Sequence, residues 1–139
     1  MTPTANLAAS AAALPAYLAF LVTLLALIIA ATWIYKSVTP YRELDLIRAN
    51  NTAAALSLGG FMIGIAIALK TVAAGTGSLL DMVMWGAFAL VTQLLVFTLT
   101  RFFIKDLKQG IEDGRIAYGV LLGAVSITTG IANAGALTY

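Results

Sequence analysis

Long runs of apolar residues, separated by short charged segments, set the pattern of this chain. No Asp, Glu, Lys or Arg occurs within residues 1–35, 52–69, 82–100 and 116–139. Because about 20 apolar residues cross a bilayer as a helix, each run is long enough to span a membrane. The pattern therefore predicts an all-α polytopic membrane protein with four transmembrane helices, near residues 14–36, 52–73, 79–102 and 116–137.

The composition agrees with a membrane protein and removes several classes of function. Hydrophobic residues make up 61% of the 139 residues and charged residues 10%, which is too apolar for an ordinary soluble domain. Cysteine and histidine are absent, so thiolate and imidazole metal ligands and the commonest general base are missing. No phosphate loop or nucleotide fingerprint occurs. We expect no catalytic residue, metal or cofactor, no enzyme activity and no nucleic-acid partner.

Basic residues cluster in two connections between the predicted helices. Seven of the eight Lys and Arg residues lie in these connections or within two residues of them: Lys36, Arg42, Arg48, Arg101, Lys105, Lys108 and Arg115. The positive-inside rule places both connections, residues 37–51 and 103–115, in the cytoplasm. Both termini are then expected outside, in the periplasm of a bacterium with two membranes. Residues 1–13, rich in Ala and Thr, are expected to form a flexible tail before a transmembrane domain over 14–138.

A possible internal repeat divides the four helices into two halves. A shift of 64 residues pairs Ile47 with Ile111 and Leu58 with Leu122, and the charged connections fall into register. Repeat one would cover about 14–73 and repeat two about 79–138. Since each half has two spans, both halves would enter the membrane in the same sense, as parallel repeats. The alternative is that two Gly/Ala-rich spans align by chance.

Small residues form one continuous stripe on the second predicted helix and another on the fourth. The stripes consist of Ala53, Ser57, Gly60, Gly64 and Ala68, and of Gly119, Gly123, Ser126, Gly130 and Ala134. Small residues let transmembrane helices approach closely, so these two helices are expected to form the packed inside of the bundle or of a homo-oligomer. The alternative is a pore lined by the hydroxyl and amide groups of the stripes.

Polar side chains are few within the predicted spans. The candidates for a polar path are Asn51, Ser57, Gln93, Thr128 and Asn133. An amide in a membrane is costly without a partner, so Gln93 is expected to hydrogen-bond across helices. Lys70 and Asp81 are the only charges at the predicted outer turn, and we expect an ion pair that fastens the second helix to the third. A proton or cation site at Asp81 is the alternative.

Two acidic pairs precede the second and fourth helices: Glu43 with Asp45, and Glu112 with Asp113. Carboxylates are favoured near helix N-termini, and the neighbouring arginines favour salt bridges. Asn50 or Asn51 can cap the second helix. A cation or a partner protein bound by these acids is the alternative.

The segment TPYRELDLIRANNTAAALSLGGFMIG resembles the first-half motif of the domain-of-unknown-function-350 family, the YjfL-like small inner-membrane proteins. The matching residues are Thr39, Pro40, Glu43, Leu46, Ile47, Asn51, Ala53, Ala54, Ala55, Gly60 and Gly64. The closing segment is similar to the second half of the family at Glu112, Asp113, Ala117, Gly119, Gly130, Asn133 and Ala134.

The resemblance covers roughly residues 14–138 and has two departures. Asn50 replaces the usual Gly before Asn51, and Arg115 stands where the second half often has Asn. The resemblance implies four spans in a bacterial inner membrane and supplies no established activity.

From the residues we expect a homo-oligomeric membrane scaffold, or a membrane subunit whose residues 37–51 and 103–115 bind a cytoplasmic partner. The alternative function is an oligomeric channel or small transporter lined by small and polar residues of the second and fourth helices.

Overall fold

The structure, a computed structural model, describes residues 3–138, and these form six helices without a strand. The helices are α1 (Pro3–Val38), α2 (Glu43–Arg48), α3 (Thr52–Gly75), α4 (Leu79–Phe103), α5 (Leu107–Glu112) and α6 (Ile116–Ala136). Four of them are long and apolar enough to cross a membrane: α1 from Ala9 onward, α3, α4 and α6. The prediction of an all-α fold with four transmembrane helices is confirmed.

Helix α1 is longer than the apolar pattern predicted. It begins at Pro3, so the described part of the N-terminal segment is helical and continuous with the first span. The flexibility expected for residues 1–13 stays a prediction, and residues 1 and 2 lie outside the described part of the chain. Helix α1 ends at Val38 because Pro40 follows, and the residue before a proline is disfavoured in a helix.

Helix α3 lies at the centre of the bundle and contacts α1, α4 and α6. Its most extensive contact is with α6, along the two stripes of small residues, and we call this contact the seam. Aromatic packing joins the other helices to this centre. The Tyr35 ring of α1 stacks on Phe61 of α3 at 4.1 Å between ring centroids, and it meets Phe97 of α4 edge-on at 5.1 Å.

The two short helices α2 and α5 lie in residues 39–51 and 104–115, which we call the charged end of the bundle. Each is followed by one residue with a left-handed backbone, Asn50 with φ of 63° and Gly114 with φ of 71°. Glycine adopts this conformation freely and asparagine tolerates it better than most residues. The local geometry therefore explains how Asn50 replaces the glycine usual in the resembled family.

The corners after α2 and α5 also share their backbone hydrogen bonds. The Asn51 amide donates to the Leu46 carbonyl at 2.9 Å, and the Arg115 amide donates to the Gly110 carbonyl at 2.9 Å. The two donors, like the two acceptors, stand 64 positions apart in the sequence. The corners are thus locally equivalent, while the descent of both halves from a duplication stays a prediction.

Candidate functional site

The seam brings the backbones of α3 and α6 into contact. Four glycines, two on each helix, lie so close to the opposite backbone that a Cβ atom would overlap it: Gly60, Gly64, Gly119 and Gly130. A Cβ on Gly123 would come within 2.8 Å of the Leu56 carbonyl oxygen. Ala53 and Ser57, the other residues expected at a helix contact, are fully buried. The small stripes therefore meet each other inside one protomer.

The polar side chains expected in the spans have partners within the bundle. The Gln93 amide of α4 donates to the Ser126 carbonyl of α6 at 3.1 Å, and the Asn133 amide donates to the Ala89 carbonyl at 3.3 Å. Gln93 is buried. Thr128 differs, since it lies exposed on α6. The structure thus does not bring Thr128 together with Ser57 and Gln93 along one path.

Asn51 joins the two halves at the charged end. Its side-chain oxygen accepts from the Ala54 amide at 2.9 Å, which caps α3. Its side-chain amide donates to the Ile111 carbonyl at 2.7 Å, at the end of α5. Arg115, the corresponding residue before α6, makes no side-chain cap. One asparagine therefore fixes both corners relative to each other.

Lys70 and Asp81, expected to form an ion pair, do not pair in the structure. The ion pairs of residues 3–138 all lie at the charged end. Both side chains are exposed. The Asp81 carboxylate instead accepts from the Thr76 hydroxyl at 3.2 Å, in the turn that precedes α4. The hydrogen bond from Thr76, within the same turn, therefore stands where the ion pair between Lys70 and Asp81 was predicted.

The least expected feature is the position of Glu43. Its side chain is 1% exposed, whereas the next residue, Leu44, is 39% exposed. Neither carboxylate oxygen has a hydrogen-bond partner in the described part of the chain. A buried polar group without a partner is rare in proteins and asks for an explanation. Glu43 is therefore the strongest candidate for a functional side chain.

Three buried hydroxyl groups form a cluster on the same side of the bundle. The hydroxyls of Tyr35 and Ser57 share a hydrogen bond of 3.1 Å, and those of Tyr41 and Ser57 lie 3.5 Å apart. Burial raises the pKa of the Tyr41 phenol. Its hydroxyl is therefore a neutral group that can donate and accept hydrogen bonds.

Burial also raises the pKa of the Glu43 carboxyl, and the nearby polar groups of Thr39 and Lys36 oppose the shift only in part. The cations nearest in sequence are engaged elsewhere. Arg42 and Arg48 pair with Asp45 at 2.6 Å and 3.6 Å. The Lys36 ammonium lies 4.0 Å from the centre of the Trp33 ring, in a cation–π contact. No ion pair compensates a charge on Glu43 within residues 3–138.

An open cavity of about 480 Å³ lies at this place. It is lined by Lys36, Thr39, Pro40, Tyr41, Arg42, Glu43, Leu44, Asp45 and Arg48. The cavity lies along the chain segment between α1 and α2 and opens at the surface of the charged end. No group of three or more acidic side chains that could hold a metal ion occurs among the described residues. The cavity therefore lacks a built metal site.

From the sequence, Glu43 was interpreted as one of the acidic residues that are favoured near the N-terminus of a helix. That interpretation missed its burial, because the polarity of the two residues predicts an exposed Glu43 and a buried Leu44, and the structure has the reverse. One signal was available: Glu43 stands in the resembled motif three residues after Pro40, which ends α1 and turns the chain back toward the bundle.

Comparisons with known proteins agree with this architecture. The Domain of Unknown Function (DUF350) family matches residues 9–137. The UPF0719 inner membrane protein YjfL of Escherichia coli (strain K12) is 38% identical over 114 residues, covering 82% of this chain and 86% of that protein. The UPF0719 transmembrane protein YshE of Bacillus subtilis (strain 168) is 29% identical over 96 residues, covering 68% of this chain and 72% of that protein. No solved structure matches.

The match covers all four spans, the seam and the charged end, and the relatives are described as membrane proteins. The chain therefore belongs to the domain-of-unknown-function-350 family of inner-membrane proteins.

Proposed function

We propose that the protein is a structural membrane subunit. A rigid four-helix body would assemble with further copies of itself in the inner membrane, and the charged end would present a fixed surface to a cytoplasmic partner. Both termini then lie outside, as the positive-inside rule predicts. We also propose that the two halves are parallel repeats, which the equivalent corners after α2 and α5 support.

The closed seam carries this proposal. A path between α3 and α6 needs space, but the glycines of the two helices are in backbone contact along the seam. The hydroxyl and amide groups of Ser57 and Gln93 are buried and bonded to neighbouring helices. Side chains that are satisfied in this way stabilise helix packing and are not offered to a passing ion. The geometry thus favours a scaffold over a channel lined by these helices.

An apolar groove on the outer face of the seam is the surface we assign to self-assembly. It has a volume of about 360 Å³ and its lining includes Ala55, Gly59, Ile63, Val120 and Ala124. A Cβ on Gly59 would have no neighbour within 4 Å. Small outward residues at helical spacing permit close approach of a second helix in a membrane. A second copy of the chain, bringing the same groove, is the occupant we propose.

Single cysteines test this contact directly, because the chain has no cysteine of its own. Gly59→Cys in native membranes should form a disulfide-linked dimer on mild oxidation. Val91→Cys, on the exposed face of α4, is the matched control and should remain monomeric. Equal cross-linking of both variants, or none of Gly59→Cys, would refute the groove as the interface.

Flux through proteoliposomes separates the scaffold from the channel. We expect vesicles that contain the purified protein to hold a potassium gradient as well as empty vesicles do. A leak that Ser57→Ala or Thr128→Ala changes would instead establish a conducting path and refute the scaffold.

The partner surface is tested with a photo-reactive amino acid at Lys105, which is exposed at the charged end. A cross-link to one soluble protein should form in cells and disappear when Lys108→Glu reverses a neighbouring charge. The same probe at Val91 should give no such product. Cross-linking that ignores the charge reversal would contradict a specific docking surface.

A further inference from the structure

The carboxyl group of Glu43 is buried at the charged end and takes part in none of the ion pairs of residues 3–138. Its two oxygens have no hydrogen-bond partner within residues 3–138, and the side chain is 1% exposed. An ionised carboxylate in such a place loses its hydration, and Thr39 and Lys36 compensate that loss only in part, so the charged form is disfavoured. Proteins avoid that cost by neutralising the group. The ligand that neutralises a carboxylate most simply is a proton.

We propose that Glu43 is a proton-binding site, which holds its carboxyl as the neutral acid and exchanges protons with water through the open cavity at the charged end. The proposal does not depend on self-assembly or on a cytoplasmic partner.

The surroundings of Glu43 are consistent with a neutral group. The titratable and charged groups that face Glu43 or line its cavity are Tyr35 and Lys36 of α1, Tyr41 and Arg42 of the following connection, and Asp45 and Arg48 of α2. The charge of Arg101, from α4, acts on Tyr41. Asp45 forms ion pairs with both Arg42 and Arg48 at the surface, whereas the buried Glu43 forms none.

The cavity supplies the route for the proton. Glu43 lines it together with Thr39 and Tyr41, and the cavity opens at the surface of the charged end. Beneath it, the Tyr35, Ser57 and Tyr41 hydroxyls provide groups that can both donate and accept hydrogen bonds. A carboxyl group between an open cavity and a hydroxyl cluster can gain or lose a proton without exposure of the helix interface.

Carbon NMR of the intact chain tests the proposal without changing Glu43. Glu43 and Glu112 are the only glutamates among the 139 residues, so selective labelling of the glutamate carboxyl carbon gives two signals. Glu112→Gln, a change at an exposed position, removes one signal and assigns the other to Glu43. The assay follows the Glu43 signal of purified protein in lipid nanodiscs over a pH titration.

We expect the Glu43 carboxyl to remain protonated well above the ordinary glutamate value of about 4.3. A Glu43 signal that titrates at or below that value would overturn the proposal. Sodium chloride is the second probe. If Glu43 is ionised at neutral pH and its signal moves with sodium but not with an equal concentration of choline, a bound cation replaces the proton and the proposal is again wrong.

Discussion

The two adjacent glycines of α3 offer a sharp test of the seam, because their surroundings are opposite. A Cβ on Gly60 would lie 2.7 Å from the Gly123 carbonyl oxygen and 2.8 Å from its carbonyl carbon, whereas a Cβ on Gly59 would meet nothing within 4 Å. Both residues are in the middle of the same helix, so helix propensity changes equally in Gly60→Ala and Gly59→Ala. The difference between the two variants isolates the contact with α6.

The magnitude follows from the distances. The Gly123 Cα would lie closer still to a Cβ on Gly60, and non-bonded carbon atoms rest at about 3.5–4.0 Å, so the two backbones must separate by roughly 1.5 Å to accept a methyl group there. A backbone has no alternative rotamer with which to avoid the added methyl group. We therefore expect Gly60→Ala to lower the free energy of unfolding by about 1–3 kcal/mol, the usual cost of overpacking. Gly59→Ala should be neutral or slightly stabilising, because alanine is the better helix former by about 1 kcal/mol in soluble helices.

Thermal unfolding in a detergent that keeps the protein monomeric, followed by tryptophan fluorescence, measures this difference without a contribution from the self-assembly groove at Gly59. We expect Gly60→Ala to melt below wild type and Gly59→Ala at or above it. If Gly60→Ala keeps the wild-type melting temperature, or if both variants fall together, the backbone contact between α3 and α6 is not what stabilises the bundle.

Three further predictions concern polar groups. Asn51→Ala removes the cap of α3 and the hydrogen bond to Ile111, so thermal melts should show a free energy of unfolding lower by about 1 kcal/mol or more. Asn50→Ala is the comparison variant, because it changes the neighbouring left-handed residue and leaves both side-chain bonds of Asn51 in place. In a double-mutant cycle, Lys70→Ala and Asp81→Asn should add within about 0.5 kcal/mol, and a larger coupling would show that they do pair. For Glu43, the folded state holds a proton over a pH window in which the unfolded chain has lost it. The free energy of unfolding therefore falls as pH rises from the ordinary glutamate value through the raised pKa of Glu43. Melting temperature should decline over that window in wild type and stay flat in Glu43→Gln; parallel curves would contradict the assignment.

The sequence predicted the spans well, because a bilayer imposes one simple requirement on helix length. The starts of α3 at Thr52, α4 at Leu79 and α6 at Ile116 lie at the residues that the charge pattern indicated. The charge-free runs begin at Thr52 and Ile116 and three residues after Leu79, and no tertiary contact is needed to interpret them.

The site was less predictable, because it depends on which way individual side chains face. Glu43 and Asp45 were equivalent acids in the sequence, but one is buried and the other pairs with two arginines at the surface. Lys70 and Asp81 were expected to pair because both lie at the outer turn, but a shared turn does not decide whether two side chains point toward each other. The Asp81 carboxylate accepts a hydrogen bond from the Thr76 hydroxyl in the turn, where the sequence had predicted an ion pair with Lys70.

The backbones of α3 and α6 touch directly at four glycines of the seam, and this limits how the molecule can change shape. A contact made by side chains can adjust through alternative rotamers, but a contact between two backbones has no such freedom. Helices α3 and α6 must therefore move as one body. Helix α1 is less buried: no residue of its most apolar stretch is buried, and it joins the core through Ala31 and Tyr35, with Leu24, Leu27 and Ile28 partly buried against it. A rearrangement in the membrane would therefore involve α1 more readily than α6, and the end of α1 at Lys36 lines the cavity that holds Glu43.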